Sequence, residues 1–253
     1  MSFAEKMTAI GDAIRNKTGK TDKLSLDEMA TEINEISTGE RDINPEWTDW
    51  SYFCQYKDDL AAKLKYSDTS NGTNFSYMFR YCKSITSAPV IDTSKGTNFS
   101  GMLYECSNLI SLPALNTSKG FNFSNMFKYC GKLTSIPEID TSNGTQITSM
   151  FHGCEKLQSI PKLDISKATA VSSIFANCNS LVNLNIVGTI NITGLTVQSC
   201  NLLSHDSLMS IINALADKTG VSGTRKVILG ATNLAKLTAE EIAIAEGKGW
   251  TLA

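Results

Sequence analysis

The sequence predicts an α/β repeat protein, a solenoid of 24-residue coils with helices before and after it. Cysteines stand at 54, 82, 106, 130, 154, 178 and 200, so four consecutive gaps are 24 residues, between gaps of 28 and 22. Pro89, Pro113, Pro137 and Pro161 keep the same period, as do Asp92, Asn116, Asp140 and Asp164. Apolar columns share it too: Ile85, Leu109, Leu133, Leu157 and Leu181; Met78, Met102, Met126, Met150 and Ile174; Phe99, Phe123, Ile147 and Val171. A 24-residue unit with about six apolar positions cannot close a core alone, but stacked units with like positions touching make a continuous one.

Each coil is read as three pieces. An extended piece such as Leu133 to Ile139 comes first, then the turn residues Asp140, Thr141, Ser142, Asn143 and Gly144. A compact helical or 3₁₀ turn from Ser149 to Cys154 closes the coil. Strands in a parallel ladder lie about 4.8 Å apart, so five or six coils give a ribbed face of about 24 to 29 Å. That face is the expected working surface.

Composition fits a folded chain and removes several function classes. Of 253 residues 42% are apolar and 19% charged, and no apolar run approaches the roughly 18 residues that span a bilayer. Lysine and arginine total 23 against 25 acids, a net charge of -2, which argues against a nucleic-acid partner, and without a spanning stretch no membrane partner is expected. The first ten residues lack a basic start and an apolar stretch, so no signal peptide is expected. An odd number of cysteines in a long chain without an export signal reads as reduced thiols that pack as small hydrophobes.

The unit MFKYCGKLTSIPEIDTSNGTQIT, Met126 to Thr148, resembles the cysteine-containing leucine-rich repeats of BspA-like bacterial surface proteins, over roughly residues 66–187. The resemblance implies a leucine-rich-repeat solenoid.

The flanks are read as helical. Phe3, Met7, Ile10 and Ile14 mark one face of a helix from Ser2 to about Lys17. Ser25 and Glu28 form a capping box opening a second, with Leu26, Met29, Ile33 and Ile36 as its stripe. The two make a helical hairpin that packs on itself, on the solenoid, or on other copies as a homo-oligomer. Gly11 to Ile36 resembles a helical module at the start of bacteriophage and prophage tail-associated proteins. Residues 39–65 are read as a linker followed by an aromatic cluster, Trp47, Trp50, Tyr52, Phe53 and Tyr56, which is either a ligand cage or, preferred here, a plug over the solenoid end. Residues 188–253 are read as a C-terminal α/β cap: a helix from Asp206 to Asp217, a β piece at Lys226 to Leu229, a helix opened by the Thr238 and Glu241 capping box, and a last strand at Trp250 to Leu252. The final 25 residues resemble the closing segment of such repeat proteins from phages and gut-type bacteria. The domain plan is thus 1–38, 39–65, 66–187 and 188–253.

Catalytic and metal chemistry find little support. Gly19, Lys20 and Thr21 mimic the end of a phosphate loop, but its first glycine is replaced by Ile14. There is no CxxC pair, and His152 and His205 cannot supply a ligand set, so neither a metal nor a cofactor is expected. Cys154 sits in a core column without an oriented base. The recurring aspartates are explained by turn-forming side-chain bonds, and Asn98, Asn122 and Asn143 in sequons are turn positions.

What varies between coils is free to meet a ligand. Two columns before each cysteine do so: Arg80, Tyr104, Lys128 and His152, then Tyr81, Glu105, Tyr129 and Gly153. Arg80, Tyr81, Tyr104, Lys128, Tyr129 and His152 are the candidate binding residues, suited to sugar or protein contact. The expected function is a non-enzymatic phage or prophage tail-associated recognition protein in the virion, made in the bacterial cytoplasm. Its solenoid binds a bacterial surface polymer or protein, and residues 1–38 attach to other tail proteins. A BspA-like surface adhesin and an intracellular interaction scaffold are the alternatives.

Overall fold

The computed structural model describes residues 48–56 and 69–253. The hairpin at 1–38, the linker, Trp47 and the Gly19 to Thr21 motif lie outside the described residues. Successive 24-residue segments are joined by parallel bridges. One line runs Asp49, Asn74, Asn98, Asn122, Gln146 and Ala170. A second, on another side of each coil, joins Ser87 to Ser111 and Ser135 to Ser159. It widens into a two-stranded sheet, β1 (Ser159–Asp164) beside β2 (Asn183–Val187), with Ile160 opposite Leu184 and an irregularity before Leu163. Among the described residues the extended piece expected in every coil is therefore a full strand only in these two; Ser87, Ser111 and Ser135 make isolated bridges. Pro89, Pro113 and Pro137 have no N–H to continue a ladder, although Pro161 is held within β1.

The turn before each cysteine is neither α nor 3₁₀. Alternate N–H groups donate to the next coil: Phe75 to Asn98 O, Tyr77 to Ser100 O, Phe79 to Met102 O and Tyr81 to Tyr104 O, each at 2.8 Å. The intervening ones, Met78, Arg80 and Cys82, donate back to the third residue before them. A helix sends every N–H along its own axis and has none to spare for a neighbour. Here the backbone turns left-handed twice per coil, four residues apart, as at Tyr77 (φ 56°) and Tyr81 (φ 61°).

Between the coils lies one continuous core. Phe75, Phe99 and Phe123 stack at 5.8 and 5.6 Å, and Phe127, Phe151 and Phe175 at 5.5 and 6.1 Å. Gly96 sits under the ring of Phe99, where a Cβ would lie 2.4 Å from the ring carbon Cζ. In the coil where Val171 takes the phenylalanine position, the glycine position holds Ala168. The cysteines do more than fill space. Cys106 Sγ donates to Phe79 O at 3.0 Å, Cys130 Sγ to Leu103 O at 3.1 Å and Cys154 Sγ to Phe127 O at 3.0 Å, each reaching the preceding coil. All seven are buried thiols, and burial pushes Cys154 and Cys200 up to about 12.

The aspartate column serves the turns. Asp92, Asn116, Asp140 and Asp164 accept through Oδ1 from the N–H of Ser94, Ser118, Ser142 and Ser166. Thr117 and Thr141 hydroxyls donate across to Asp140 O and Asp164 O.

Helix α1 (His205–Ala214) ends the stack, starting one residue before the predicted helix and stopping three residues before its end because Leu215 is extended. Its serines stand in for a missing strand: Leu184 N donates to Ser207 Oγ and Ile186 N to Ser210 Oγ. This covers the exposed edge of β2. Beyond it come β3 (Lys226–Val227), α2 (Ala231–Leu234), α3 (Ala239–Gly247) and β4 (Thr251–Leu252), with β3 and β4 parallel. Helix α3 opens with the capping box of Thr238 and Glu241. Asn233, fully buried, donates to the carbonyls of Val197, Cys200 and Leu229, tying this unit to the coil below.

Candidate functional site

The six predicted residues come together on one edge of the stack. The left-handed turns put them there, because side chains flanking each buried cysteine project outward while Met78, Phe79 and their equivalents project in. Aromatic rings form an unbroken chain across five coils. Tyr56 stacks on Tyr81 at 4.6 Å, Tyr81 meets Tyr104 edge-on at 5.7 Å, Tyr104 meets Tyr129 at 5.9 Å, and Tyr129 meets His152 at 5.1 Å. A second short stack joins Tyr52 to Tyr77 at 5.0 Å. Tyr56 is 63% exposed and Tyr129 39%.

Cations are threaded between the rings. The Arg80 guanidinium lies 4.6 Å from the Tyr81 centroid, 5.2 Å from Tyr104 and 5.3 Å from Tyr77, and donates through Nη2 to Tyr81 Oη at 3.1 Å. Lys128 Nζ lies 5.2 Å from the Tyr129 ring and 5.8 Å from Tyr104. Lys83 sits over Tyr81 and pairs with Glu105 at 3.6 Å. Burial works against the Arg80 charge, but the Tyr81 hydrogen bond and the Tyr81, Tyr56 and Tyr77 hydroxyls outweigh it and raise its pKa. Burial, then Glu105, raises Tyr104, which stays a neutral phenol. Burial, then Lys128, lowers His152, so its imidazole is neutral at pH 7.

The backbone beneath the stripe is strained where tyrosine occupies it. Tyr52, Tyr56, Tyr77, Tyr81 and Tyr129 all have φ near +60°, a conformation costing on the order of 1 kcal/mol for such a residue. The same two positions in other coils carry Gly101, Asn125, Gly153 and Asn177, types that tolerate it, and also Glu105, Ser149 and Ser173. Gly101 and Gly153 also give room: a Cβ there would lie 2.3 Å from the Tyr77 ring and 2.5 Å from the Tyr129 ring.

Tyr52, Tyr56 and Tyr77 belong to this stripe and were not among the predicted site residues. The signal was present for Tyr77, which stands 24 residues before Gly101 and four before Tyr81. Tyr52 and Tyr56 were grouped with Trp50, which is buried, whereas the two tyrosines extend the outer row.

His205 Nε2 lies 2.7 Å from Glu241 Oε1, linking the starts of α1 and α3. Among the described residues no cluster of three His, Cys, Asp or Glu side chains is arranged to hold a metal. No helix among them is long and apolar enough to cross a membrane.

No curated protein and no solved structure matches the chain. A family model described as "Mycoplasma protein of unknown function, DUF285" matches residues 46–133 and again residues 90–189, together more than half of the chain and the whole of the ring stripe. With its 24-residue coils and cysteine column, the chain belongs to this family, a BspA-like repeat family.

Proposed function

We propose that the protein is a non-enzymatic recognition protein of the phage or prophage tail-associated type, a leucine-rich-repeat solenoid that binds a bacterial surface polymer or protein. The ring stripe carries this reading: five aromatic groups in one continuous row, with Arg80 and Lys128 between them, form a surface suited to stacking and hydrogen bonding. Residues 1–38 attach the protein to other tail components, and several copies on one particle would raise avidity by roughly 10² to 10⁴ when geometry permits. Fluorescently tagged full-length protein should bind a panel of bacterial cells strain-selectively, and a Tyr81→Asn/Tyr129→Asn variant should lose that binding. Equal binding by the variant, or no binding to any strain by folded protein, contradicts the reading.

Family membership favours a second reading, a BspA-like adhesin on the surface of the cell that makes it. Antibody labelling separates the two: label on phage particles supports the tail reading, and label confined to the producing cell's surface supports the adhesin.

A further inference from the structure

We infer that the ligand of the ring stripe is a linear anionic glycan, laid along the coil axis with sugar faces on the tyrosines and acidic groups on Arg80 and Lys128. The inference rests on the recognition reading above and names the ligand class.

Shape comes first. One ring per coil, at centroid separations of 4.6 to 5.9 Å, makes a row rather than a pocket. Four coil steps give it a length of about 19 Å. A row open at its ends suits a stretch of polymer more than a single small molecule.

Charge comes second. Among the described residues the stripe holds Arg80, Lys83 and Lys128, and its carboxylate, Glu105, is paired with Lys83. Arg80 and Lys128 are left as a local excess of positive charge on a chain of net charge -2, so general basicity does not explain them. Arg80 Nε is buried with no hydrogen-bond partner among the described residues. Turning the guanidinium fork onto a carboxylate or phosphate gives that donor an acceptor.

Backbone strain comes third. Tyr77, Tyr81 and Tyr129 occupy left-handed positions where other coils carry glycine, asparagine, serine or glutamate, so a bulky ring is not what the turn itself requires. Their position on the outer edge, between the cations, makes ligand contact the use that offsets the strain.

Single-stranded nucleic acid also combines aromatic stacking with cations, but a backbone with a charge at every nucleotide calls for a lengthier basic groove than two unpaired cations on an acidic protein.

The test is titration calorimetry on the full chain with four probes: polygalacturonate, its methyl ester, poly(glycerol phosphate) and an oligodeoxythymidylate. The expected result is binding to polygalacturonate at least tenfold tighter than to its methyl ester, and tighter than to poly(glycerol phosphate), which carries charge but no sugar ring. That binding should weaken with salt and fall tenfold or more in Arg80→Gln/Lys128→Gln, with an unchanged unfolding midpoint. Binding to poly(glycerol phosphate) as tight as to polygalacturonate would show that charge alone is read, and overturns the glycan. Equal affinity for the methyl ester, an unaffected double variant, tightest binding to the oligodeoxythymidylate, or no binding to any probe overturns the inference. If bacterial cells are still bound through Tyr81 and Tyr129 while the acidic polymers are not, the ligand class is wrong and the recognition reading stands; loss of both removes both.

Discussion

Tyr129 and Cys130 are neighbours in one turn and answer to different demands. Cys130 is fully buried, has a cysteine at the same place in the coils on either side, and donates to a carbonyl of the coil before it. Tyr129 is 39% exposed, has Glu105 and Gly153 at the same place, and sits in a backbone conformation that tyrosine disfavours. Along the cysteine column every coil must meet the same neighbour, so one residue recurs. Along the ring column each coil meets its neighbours and solvent, and the sequence is free to place tyrosine, glutamate or glycine. Regularity therefore marks what holds the stack together, and irregularity marks where a partner has room.

The sharpest break in this comparison comes from the inner side. Phe127→Ala removes a ring stacked on Phe151 at 5.5 Å and should lower stability by about 3–5 kcal/mol, read from the denaturant midpoint. Cys130→Ala deletes the thiol donor to Leu103 O and should cost about 1 kcal/mol. Native cysteines should resist alkylation at pH 8, since burial raises thiols such as Cys154 and Cys178 and hides them from reagent, and labelling should follow unfolding. Labelling of the native protein would mean that the column opens.

On the outer side the same size of change should leave stability almost untouched. Tyr81→Asn and Tyr129→Asn each lose ring contacts and relieve left-handed strain, so the net change should stay under about 1 kcal/mol. Asn177 already occupies this column. The smallest expected effect is electrostatic. Hydrogen bonds from Ser142 hold the Asp140 carboxylate below its ordinary value. Its contribution is thus complete above the unfolded carboxylate range and fades as pH falls through the lower folded value. Asp140→Asn should keep the turn, as Asn116 does, and slightly flatten the acid limb of a stability profile.

Much of this organisation can be read from residue spacing. The 24-residue interval of the cysteines equals the interval of the bridges from Asn74 to Asn98, Asn122 and Gln146. All six predicted site residues lie on one edge, because residues that share a place in the coil share a face. Other features are harder to read. Phe79, Leu103, Phe127, Phe151 and Phe175 keep the 24-residue interval too, yet as a buried column directly beside the methionine column they give two consecutive inward side chains, which match neither a helical nor a strand period. The left-handed turn that produces them depends on backbone bonds between coils, which no local preference of tyrosine foretells. The thiol bonds are equally silent in sequence, where cysteine reads simply as a small hydrophobe. Tyr52 and Tyr56 escaped because the gap to the next cysteine is 28 residues, which breaks the count just where the ring row begins.

The most direct test is a paired measurement on Tyr81→Asn/Tyr129→Asn: the unfolding midpoint in denaturant and binding to a bacterial strain recognised by the unaltered protein. Rings kept for a partner predict a midpoint shifted by less than the equivalent of about 1 kcal/mol per site, with cell binding lost. A large fall in midpoint with binding retained by the folded fraction would show that the rings serve the stack, and would contradict the division between the inner and outer columns.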